Sequence, residues 1–255
     1  MDIIIYRGTH EIGGTLIEIK SRNSRILIDA GYPLFLNNQP IDNSVSALSH
    51  EKLLKLGVLP NVKGLYAWDS PAFDAVIISH AHIDHYGLLK FVNPAIPVYL
   101  SKGTKMLIDI SVLFKLTEEI SAAFNEFSMY EPFKIGCFRI MPFLMDHSAF
   151  DAAAFEISDN EKTVIYTGDF RGHGRKIVCL DMFINKSKKG TDFLITEGTM
   201  LGRQDEKVLT EQELEKQIIN KMDKFNGPVL FQSSSQNIDR IVSFYKAATR
   251  LGRIF

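Results

Sequence analysis

The chain has 255 residues, of which 45% are hydrophobic and 23% are charged. This is enough apolar sequence to bury a sizeable core, so we expect one large globular domain or one domain with part of another. The formal net charge of -1 excludes a strong overall attraction to nucleic acid or to a membrane surface. Binding to either must therefore come from a local patch of charge.

Cysteine usage and the N-terminal sequence indicate the cellular compartment of the protein. Cys137 and Cys179 are far apart and outside any metal-binding or redox spacing, which favours reduced cysteines over a disulfide. The apolar run Ile3 to Ile5 is too short for a signal peptide or a membrane span. We therefore expect a cytoplasmic protein with no membrane partner.

Short β-rich runs recur along the chain, and helical patterns lie between and after them. The predicted strands are Ile3–Tyr6, Thr15–Ile19, Arg25–Ile28, Ala75–Ile78, Pro97–Leu100, Phe138–Pro142, Ala153–Ile157, Thr163–Tyr166 and Phe193–Thr196. The predicted helices are Asp42–Leu56, Lys102–Phe114, a helix opened by a Thr210/Glu213 capping box and running to about Lys224, and Asn237–Arg250. The sequence PVLF, residues 228–231, is predicted to be a buried strand. Early hairpins followed by helices favour sheets covered by helices, an α/β or α+β fold.

The sequence HAHIDH starts where the predicted strand Ala75–Ile78 ends. Loops at the ends of strands are the usual place for binding groups. His80 and His82 point to the same side of an extended segment, because side chains alternate along it. Asp84 and His85 come at the start of the next helix and should turn toward a second point in space. Two such points, about 3.5 to 4 Å apart, are typical of a two-metal site.

Two later motifs supply more metal ligands, and each again follows an apolar run. DHS contains His147 and TGDF contains Asp169. Taken singly, each is more typical of a satisfied polar residue at a strand end. Taken with HAHIDH, they complete two coordination spheres: His80, His82 and His147 for one metal, and Asp84, His85 and a bridging Asp169 for the other. Imidazole and carboxylate ligands without a nearby thiolate favour an open catalytic zinc site, with manganese as the alternative metal.

HAHIDH, DHS and TGDF, together with RILIDAG around Asp29, resemble the ordered motifs of metallo-β-lactamase-fold hydrolases over residues 1–200. The resemblance implies a four-layer αββα sandwich with the metals at the edge where the two sheets meet. It also implies that Asp29 orients the metal ligands by hydrogen bonding. Groups of this kind hold ligating imidazoles in the correct tautomer.

The sequence after residue 190 resembles one branch of that family. FLITEGTML and FQSSSQNIDRIVSFYKAATRLGR resemble the β-CASP branch, which includes RNase J. The resemblance implies a lactamase-like core over 1–203 and the incomplete start of a β-CASP domain over 204–255, with Glu197 as an acid supporting a metal-ligand histidine. Enzymes of this branch have further sequence that brings another histidine to the second metal, and nothing before Phe255 matches it. We therefore expect a truncated chain with a weak second metal site, which could be inactive by itself.

The resemblance to RNase J implies a zinc-dependent ribonuclease, in which a metal-activated hydroxide attacks phosphorus in line. Asp84 would also orient the attacking water. The sequence FRGHGRK predicts phosphate contacts by Arg171, His173 and Arg175, and its glycines allow close approach of the backbone. A flexible basic surface turn is the alternative for this loop. RNA is the expected partner, DNA is a substrate that the site could share, and a homodimer of a longer parent is a further expectation.

Other functions of the same fold stay open on the sequence. A small-molecule hydrolase, such as a lactonase or thioesterase, would use the same metals on a carbonyl group, because a fold does not fix a substrate. A scaffold subunit of an RNA-processing complex would have no catalytic role. The complete set of six ligands argues against this function, because a scaffold has no need of them. The sequence does not separate exonucleolytic from endonucleolytic cleavage.

Overall fold

The structure, a computed structural model, describes residues 1–203 and 208–255. In chain order its strands are β1 (Asp2–Arg7), β2 (Leu16–Ser21), β3 (Ser24–Ile28), β4 (Phe35–Leu36), β5 (Gln39–Pro40), β6 (Ala75–Ile77), β7 (Val98–Ser101), β8 (Phe124–Phe127), β9 (Phe133–Ile135), β10 (Phe138–Leu144), β11 (Ala153–Ser158), β12 (Thr163–Tyr166) and β13 (Phe193–Ile195). Its α-helices are α1 (His50–Lys55), α2 (Ile83–Tyr86), α3 (Lys102–Leu113), α4 (Val178–Lys186), α5 (Glu211–Met222) and α6 (Ile238–Arg250). Short 3-10 helices cover Asn43–Ala47 and Leu89–Phe91.

Within the described residues, the strands form a six-stranded sheet, a five-stranded sheet and the small β4–β5 hairpin. The first sheet has the order β1-β2-β3-β6-β7-β8. It begins antiparallel and continues with parallel neighbours from β3 onward, which confirms the predicted early hairpins. The second sheet has the order β13-β12-β11-β10-β9 and is antiparallel except for the parallel pair β12 and β13.

The two sheets pack face to face, and helices cover both outer faces. Ile26 and Ile28 of β3 meet Phe155 of β11 in the core between the sheets. On the outer face of the first sheet, α1 and α3 contribute to a second core, and on the outer face of the second sheet α4 places Phe183 against Phe143. These layers confirm the mixed α/β fold class and its αββα arrangement.

The central strands are apolar on both faces because both faces are covered. In β3, Ile26 and Ile28 point into the core between the sheets, whereas Leu27 points toward the helices. In β6, Ala75 and Ile77 lie in the inner core and Val76 in the outer one. A strand with two buried faces therefore appears in the sequence as a continuous apolar run, as such strands do in parallel sheets.

Two predicted elements are wrong in the structure. The helix predicted over Asp42–Leu56 is interrupted, because Ser49 has an extended backbone (φ -63°, ψ 153°) that separates the 3-10 helix from α1. The segment 228–231, predicted as a buried strand, has no strand structure and is exposed, with Leu230 at 94% exposure. In the described part of the chain, no strand pairs with that segment.

The helices α5 and α6 pack against each other through a small core of their own. The capping box is confirmed, since the Thr210 hydroxyl accepts from the Glu213 N–H at the start of α5. Ile218 and Met222 of α5 pack against Ala247 and Ala248 of α6. The domain boundary predicted between residues 203 and 204 adjoins residues 204–207, which lie outside the described residues, and it stays a prediction. Among the helices that the structure describes, none is both long and apolar enough to cross a bilayer.

Phe155 offers a test of the core between the sheets, because its side chain is fully buried there and meets the ring of Phe127 edge to face. Phe155→Ala should lower the free energy of unfolding by about 3 to 5 kcal/mol, from lost burial and the cavity left behind. Chemical denaturation measures this change. Phe114→Ala, at a ring that is 69% exposed, is the control and should change stability by less than about 0.5 kcal/mol. Equal losses for both variants would contradict this description of the core.

Candidate metal centre

The site lies where several strands of both sheets end at one edge. The strands β3 and β6 are parallel, so Asp29 and the loop that starts at Ser79 follow neighbouring strand ends. In the second sheet, β10 and β12 are each antiparallel to β11, so both run in one direction and end near one another. His147 follows β10 and Asp169 follows β12. The fold thus brings residues that are distant in sequence to one edge of the sandwich.

The first group of ligands contains His80, His82 and His147, whose ligand atoms all lie within 4.8 Å of one another. His80 Nε2 and His147 Nε2 each lie 3.1 Å from His82 Nδ1. Burial lowers the pKa of His80 well below its ordinary value, and the neighbouring imidazoles lower it further. Burial and the neighbouring imidazole of His82 lower the pKa of His147 to about 3. Three neutral imidazoles with converging nitrogen atoms are the donor set that a zinc ion prefers.

The second group contains His80, His85 and Asp169, again with ligand atoms within 4.8 Å of one another. His85 Nε2 lies 3.4 Å from Asp169 Oδ2 and 3.9 Å from Asp84 Oδ2. Asp169 Oδ2 also lies 4.0 Å from the Nε2 atom of His147, so this carboxylate stands between the two groups, where a bridging ligand was predicted.

The pKa of His85 in the second group shifts in the opposite direction to the pKa values of His80 and His147 in the first group. Burial lowers the pKa of His85, but the carboxylates of Asp29 and Asp169 outweigh it and raise that pKa well above its ordinary value. Burial raises the pKa of Asp169, but the hydrogen bond from His85 and the nearby imidazoles outweigh it and lower that pKa. The two carboxylates therefore favour positive charge at this point of the site.

Asp29 holds the start of the HAHIDH loop in place through hydrogen bonds to Ser79. Its carboxylate is fully buried and accepts hydrogen bonds from the Ser79 N–H (2.7 Å), the Ser79 hydroxyl (2.8 Å) and the Tyr166 hydroxyl (2.6 Å). Its Oδ2 atom also lies 2.7 Å from His85 Nδ1. A proton on Nδ1 of His85 leaves Nε2 directed toward Asp169, which is the orientation that metal binding requires. The backbone of Asp29 has a positive φ of 58°.

Glycines allow the backbone to approach Asp84 closely. Gly13, in the THEIGG loop, has a φ of 80°, and a Cβ atom there would lie 2.6 Å from Asp84 Oδ2. A Cβ atom on Gly31 would lie 1.8 Å from the Asp84 carbonyl oxygen. Any larger residue at either position would displace Asp84 from its place beside His85.

Glu197 lies at the end of β13 and fixes the backbone beside Asp169. Its Oε1 atom accepts a hydrogen bond of 2.8 Å from the Phe170 N–H. The resemblance implied a contact between Glu197 and a metal-ligand histidine, but the described residues show no such contact. The hydrogen bond to Phe170 places Glu197 next to the loop that carries Asp169.

The predicted phosphate contacts of the FRGHGRK loop differ from the observed ones. Arg171 donates to Asp239 of α6, and Arg175 donates to Glu215 of α5 at 2.7 Å. Both guanidinium groups are mostly buried in these ion pairs, so their positions give no support to phosphate binding. The charge pattern of the loop did not show that carboxylates more than 30 residues later would neutralise it. His173 is partly exposed, and its carbonyl oxygen accepts from the Glu211 N–H.

Sequence reasoning missed Asp146, which directly precedes His147. Its carboxylate is fully buried and accepts hydrogen bonds from the Gly174 N–H (2.7 Å) and the Lys176 N–H (3.2 Å). A Cβ atom on Gly174 would lie 2.1 Å from Asp146 Oδ1, so glycine is needed for this contact. The DHS motif contained the signal, since an acid at the end of an apolar run needs buried partners.

A cavity of about 690 Å³ opens beside the second group of ligands. His85 and Asp169 lie on its wall, and the loops 8–13 and 196–203 form its sides. Arg203 and His10 also line it. The cavity gives a substrate a route to Asp169 from the solvent.

Comparison with known proteins identifies the superfamily and the fold of the chain. The model of the Beta-lactamase superfamily domain matches residues 24–222, and the chain belongs to that superfamily. A crystal structure of a protein of unknown function from Enterococcus faecalis V583 has a TM-score of 0.79 at 23% identity, covering 97% of this chain and 62% of that one. The metallo-beta-lactamase fold protein YhfI from Bacillus subtilis has a TM-score of 0.50 at 22% identity, covering 84% of this chain and 78% of that one. Both likenesses support the metallo-β-lactamase fold.

Among curated proteins, the chain is similar to ribonucleases of the RNase J type. Probable RNase MJ4 of Methanocaldococcus jannaschii is 28% identical over 218 residues, which cover 77% of this chain and 45% of that protein. Ribonuclease J of Sinorhizobium meliloti is 27% identical over 203 residues, which cover 77% of this chain and 35% of that protein. The chain therefore spans less than half the length of these two relatives. The resemblance to RNase J inferred from the motifs is confirmed at this level.

The low pKa of His147 predicts how stability depends on pH in the metal-free protein. The folded pKa of about 3 lies below the unfolded value of 6.5, so the unfolded state binds the additional proton between these values. Stability from this residue is thus present above pH 6.5 and falls by about 1.4 kcal/mol per pH unit as the pH drops toward 3. His147→Gln should remove that part of the slope. Denaturation with a chelator present measures it, and identical slopes for both proteins would contradict the assignment.

Proposed function

We propose that this chain is the metal-binding part of a phosphodiesterase that hydrolyses RNA. The observation that carries the proposal is the convergence of three neutral imidazoles, His80, His82 and His147, beside Asp169. Such a group suits a catalytic divalent cation better than a structural one, because it includes no thiolate and the Asp169 beside it lies on the wall of a cavity. The relatives named as ribonucleases support RNA as the substrate.

In this proposal the ligands divide as the motif spacing predicted. His80, His82 and His147 hold one metal ion, Asp84 and His85 hold the second, and Asp169 is shared. Zinc is the proposed metal and manganese is the alternative, because both accept nitrogen and oxygen ligands. Bound metal ions would supply a hydroxide at neutral pH and would neutralise charge on the phosphate group. Asp29 keeps the Nε2 atom of His85 free to bind.

Other residues have roles in positioning the substrate and water. Asp84 is partly exposed and lies next to the second group, so its carboxylate can accept a hydrogen bond from the attacking water. The cavity beside Asp169 would admit the RNA backbone, and His173 is retained as a phosphate contact. Arg203 and His10, which line the cavity, are further donors to phosphate oxygens. Glu197 keeps Asp169 in place through the backbone of Phe170.

The proposal extends to domain organisation and location. Residues 1–203 would form the lactamase-like core and residues 204–255 the start of a β-CASP domain, and the separate small core between α5 and α6 supports this division. The free thiols of Cys137 and Cys179 support a reducing compartment, the cytoplasm. Neither the described contacts nor the relatives favour DNA or a homodimer, and the proposal includes neither.

Hydrolysis of a 5′-monophosphorylated single-stranded RNA by the zinc-loaded or manganese-loaded chain tests the proposal. His82→Ala should lower kcat/KM by at least about 100-fold, because losing a ligand should cost more than losing a residue that supports one. His50→Ala is the control, since His50 stacks on Trp68 at 4.3 Å and is not in either ligand group. The control should stay within about twofold of wild type, because surface changes away from a site have small effects.

The outcomes separate the competing functions. Bound metal with hydrolysis of lactones or thioesters, and none of RNA, would favour a small-molecule hydrolase. Bound metal with no hydrolysis of any of these substrates would favour a scaffold role. RNA cleavage only by a chain extended beyond Phe255 would support the expectation that further sequence completes the second metal site. Equal RNA cleavage by wild type and His82→Ala would contradict the proposed function.

A further inference from the structure

A buried polar network joins α6 to the loop of residues 171–176. Its centre is Asp239, in the first turn of α6, whose carboxylate accepts from the guanidinium of Arg171. The same carboxylate accepts from the Arg175 N–H at 3.2 Å and lies 3.8 Å from Lys176 Nζ. Asp239 therefore contacts three residues of this loop and holds it against α6.

The network continues from the loop to a metal-ligand histidine. The N–H groups of Gly174 and Lys176 donate to the buried carboxylate of Asp146, and the Arg171 N–H donates to the Asp146 carbonyl oxygen at 2.7 Å. Lys176 Nζ also donates to the carbonyl oxygen of His147 at 3.3 Å. The backbone that carries His147 is thus fixed by a loop that α6 in turn fixes.

A second contact reaches the other ligand loop. Gln236, two residues before the first residue of α6, donates from Nε2 to the carbonyl oxygen of Ala81 at 3.2 Å. Ala81 lies between His80 and His82. The segment 236–239 therefore touches the loop of His80 and His82 directly and is linked to the loop of His147 through residues 171–176.

We propose that the segment 236–239 positions the metal ligands, with Asp239 acting on His147 through the 171–176 loop and Gln236 acting directly on the backbone between His80 and His82. Both are positioning residues, since neither reaches the ligand nitrogens. The proposal rests on the metal site of the proposed function and not on its substrate. Residues that orient ligands from behind commonly change metal affinity by 10- to 100-fold when they are replaced.

The composition of the network favours positioning over simple stabilisation. The buried Nε atoms of Arg171 and Arg175 have no hydrogen-bond partner among the described residues. A buried donor without a partner lowers stability, and buried ion pairs are often no more stable than apolar residues of the same size. The network is therefore poorly suited to stabilising the helices and well suited to fixing one geometry of the loop.

Metal affinity of the full chain tests the proposal with a matched control. Asp239→Asn removes the charge at the centre of the network, and Glu215→Gln breaks a second ion pair of the same loop. The two carboxylates are 9% and 8% exposed, so both changes break comparably buried pairs. The dissociation constant for Zn²⁺ is measured by competition with a chromophoric chelator. The visible spectrum of the Co²⁺ form reports the coordination geometry.

We expect Asp239→Asn to weaken Zn²⁺ binding by about tenfold and to change the Co²⁺ spectrum, whereas Glu215→Gln keeps both close to wild type. Gln236→Leu should also weaken binding, and it carries the test if Asp239→Asn does not fold. Equal effects of Asp239→Asn and Glu215→Gln, or unchanged affinity in Asp239→Asn and Gln236→Leu, would overturn the inference. A wild-type chain that binds no metal would instead overturn the metal site, and with it the proposed function.

Discussion

The geometry of the candidate metal centre depends on one buried carboxylate, that of Asp29. A charge removed from water is costly unless hydrogen bonds compensate it, and here the compensation comes from Ser79, His85 and Tyr166. Ser79 follows β6 of the first sheet and Tyr166 belongs to β12 of the second. Burial and the charge of Asp29 raise the pKa of Tyr166 well above its ordinary value, so its hydroxyl remains a donor. The same carboxylate therefore joins the two sheets and orients a ligand.

The rest of the site follows from that anchor. With Ser79 fixed, the HAHIDH loop leaves β6 in one direction, and His85 directs Nε2 toward Asp169. The neutral imidazoles of the first group and the charged pair of the second then meet at Asp169. A cation at this point would bind the nitrogen atoms that otherwise face one another beside Asp169.

The local sequence predicted the elements that are apolar and periodic. The strands around the site, such as β3 and β12, lie where the apolar runs indicated, and the six expected ligands lie near one edge of the sandwich. Asp84 is set slightly apart, since its Oδ2 atom lies 3.9 Å from His85 Nε2 and it belongs to neither group of converging ligand atoms among the described residues. The motif spacing predicted the positions of these ligands because each ligand-bearing motif begins near the end of a strand, and the fold fixes where that strand ends.

Tertiary contacts decided the features that the sequence did not predict. The segment 228–231 is as apolar as a buried strand, but a buried strand also requires a neighbouring strand to pair with, and none of the described strands pairs with this segment. Arg171 and Arg175 have the composition of a phosphate-binding loop, but their charges are neutralised by Asp239 and Glu215. Charge patterning in one segment does not identify a partner far along the chain. The contacts of segment 236–239 with residues 81 and 171–176 were not predicted for the same reason.

The measurement that tests the central claim most directly is the zinc affinity of the wild-type chain and of Asp29→Asn, with Tyr166→Phe as the control. The asparagine keeps the shape of Asp29 but places an amide donor against groups that already donate, so His85 loses its fixed orientation. Zinc binding should weaken by about 10- to 100-fold in Asp29→Asn and change less in Tyr166→Phe, which removes a single donor. Tight zinc binding that is unchanged by Asp29→Asn would contradict the dependence of the metal centre on this carboxylate.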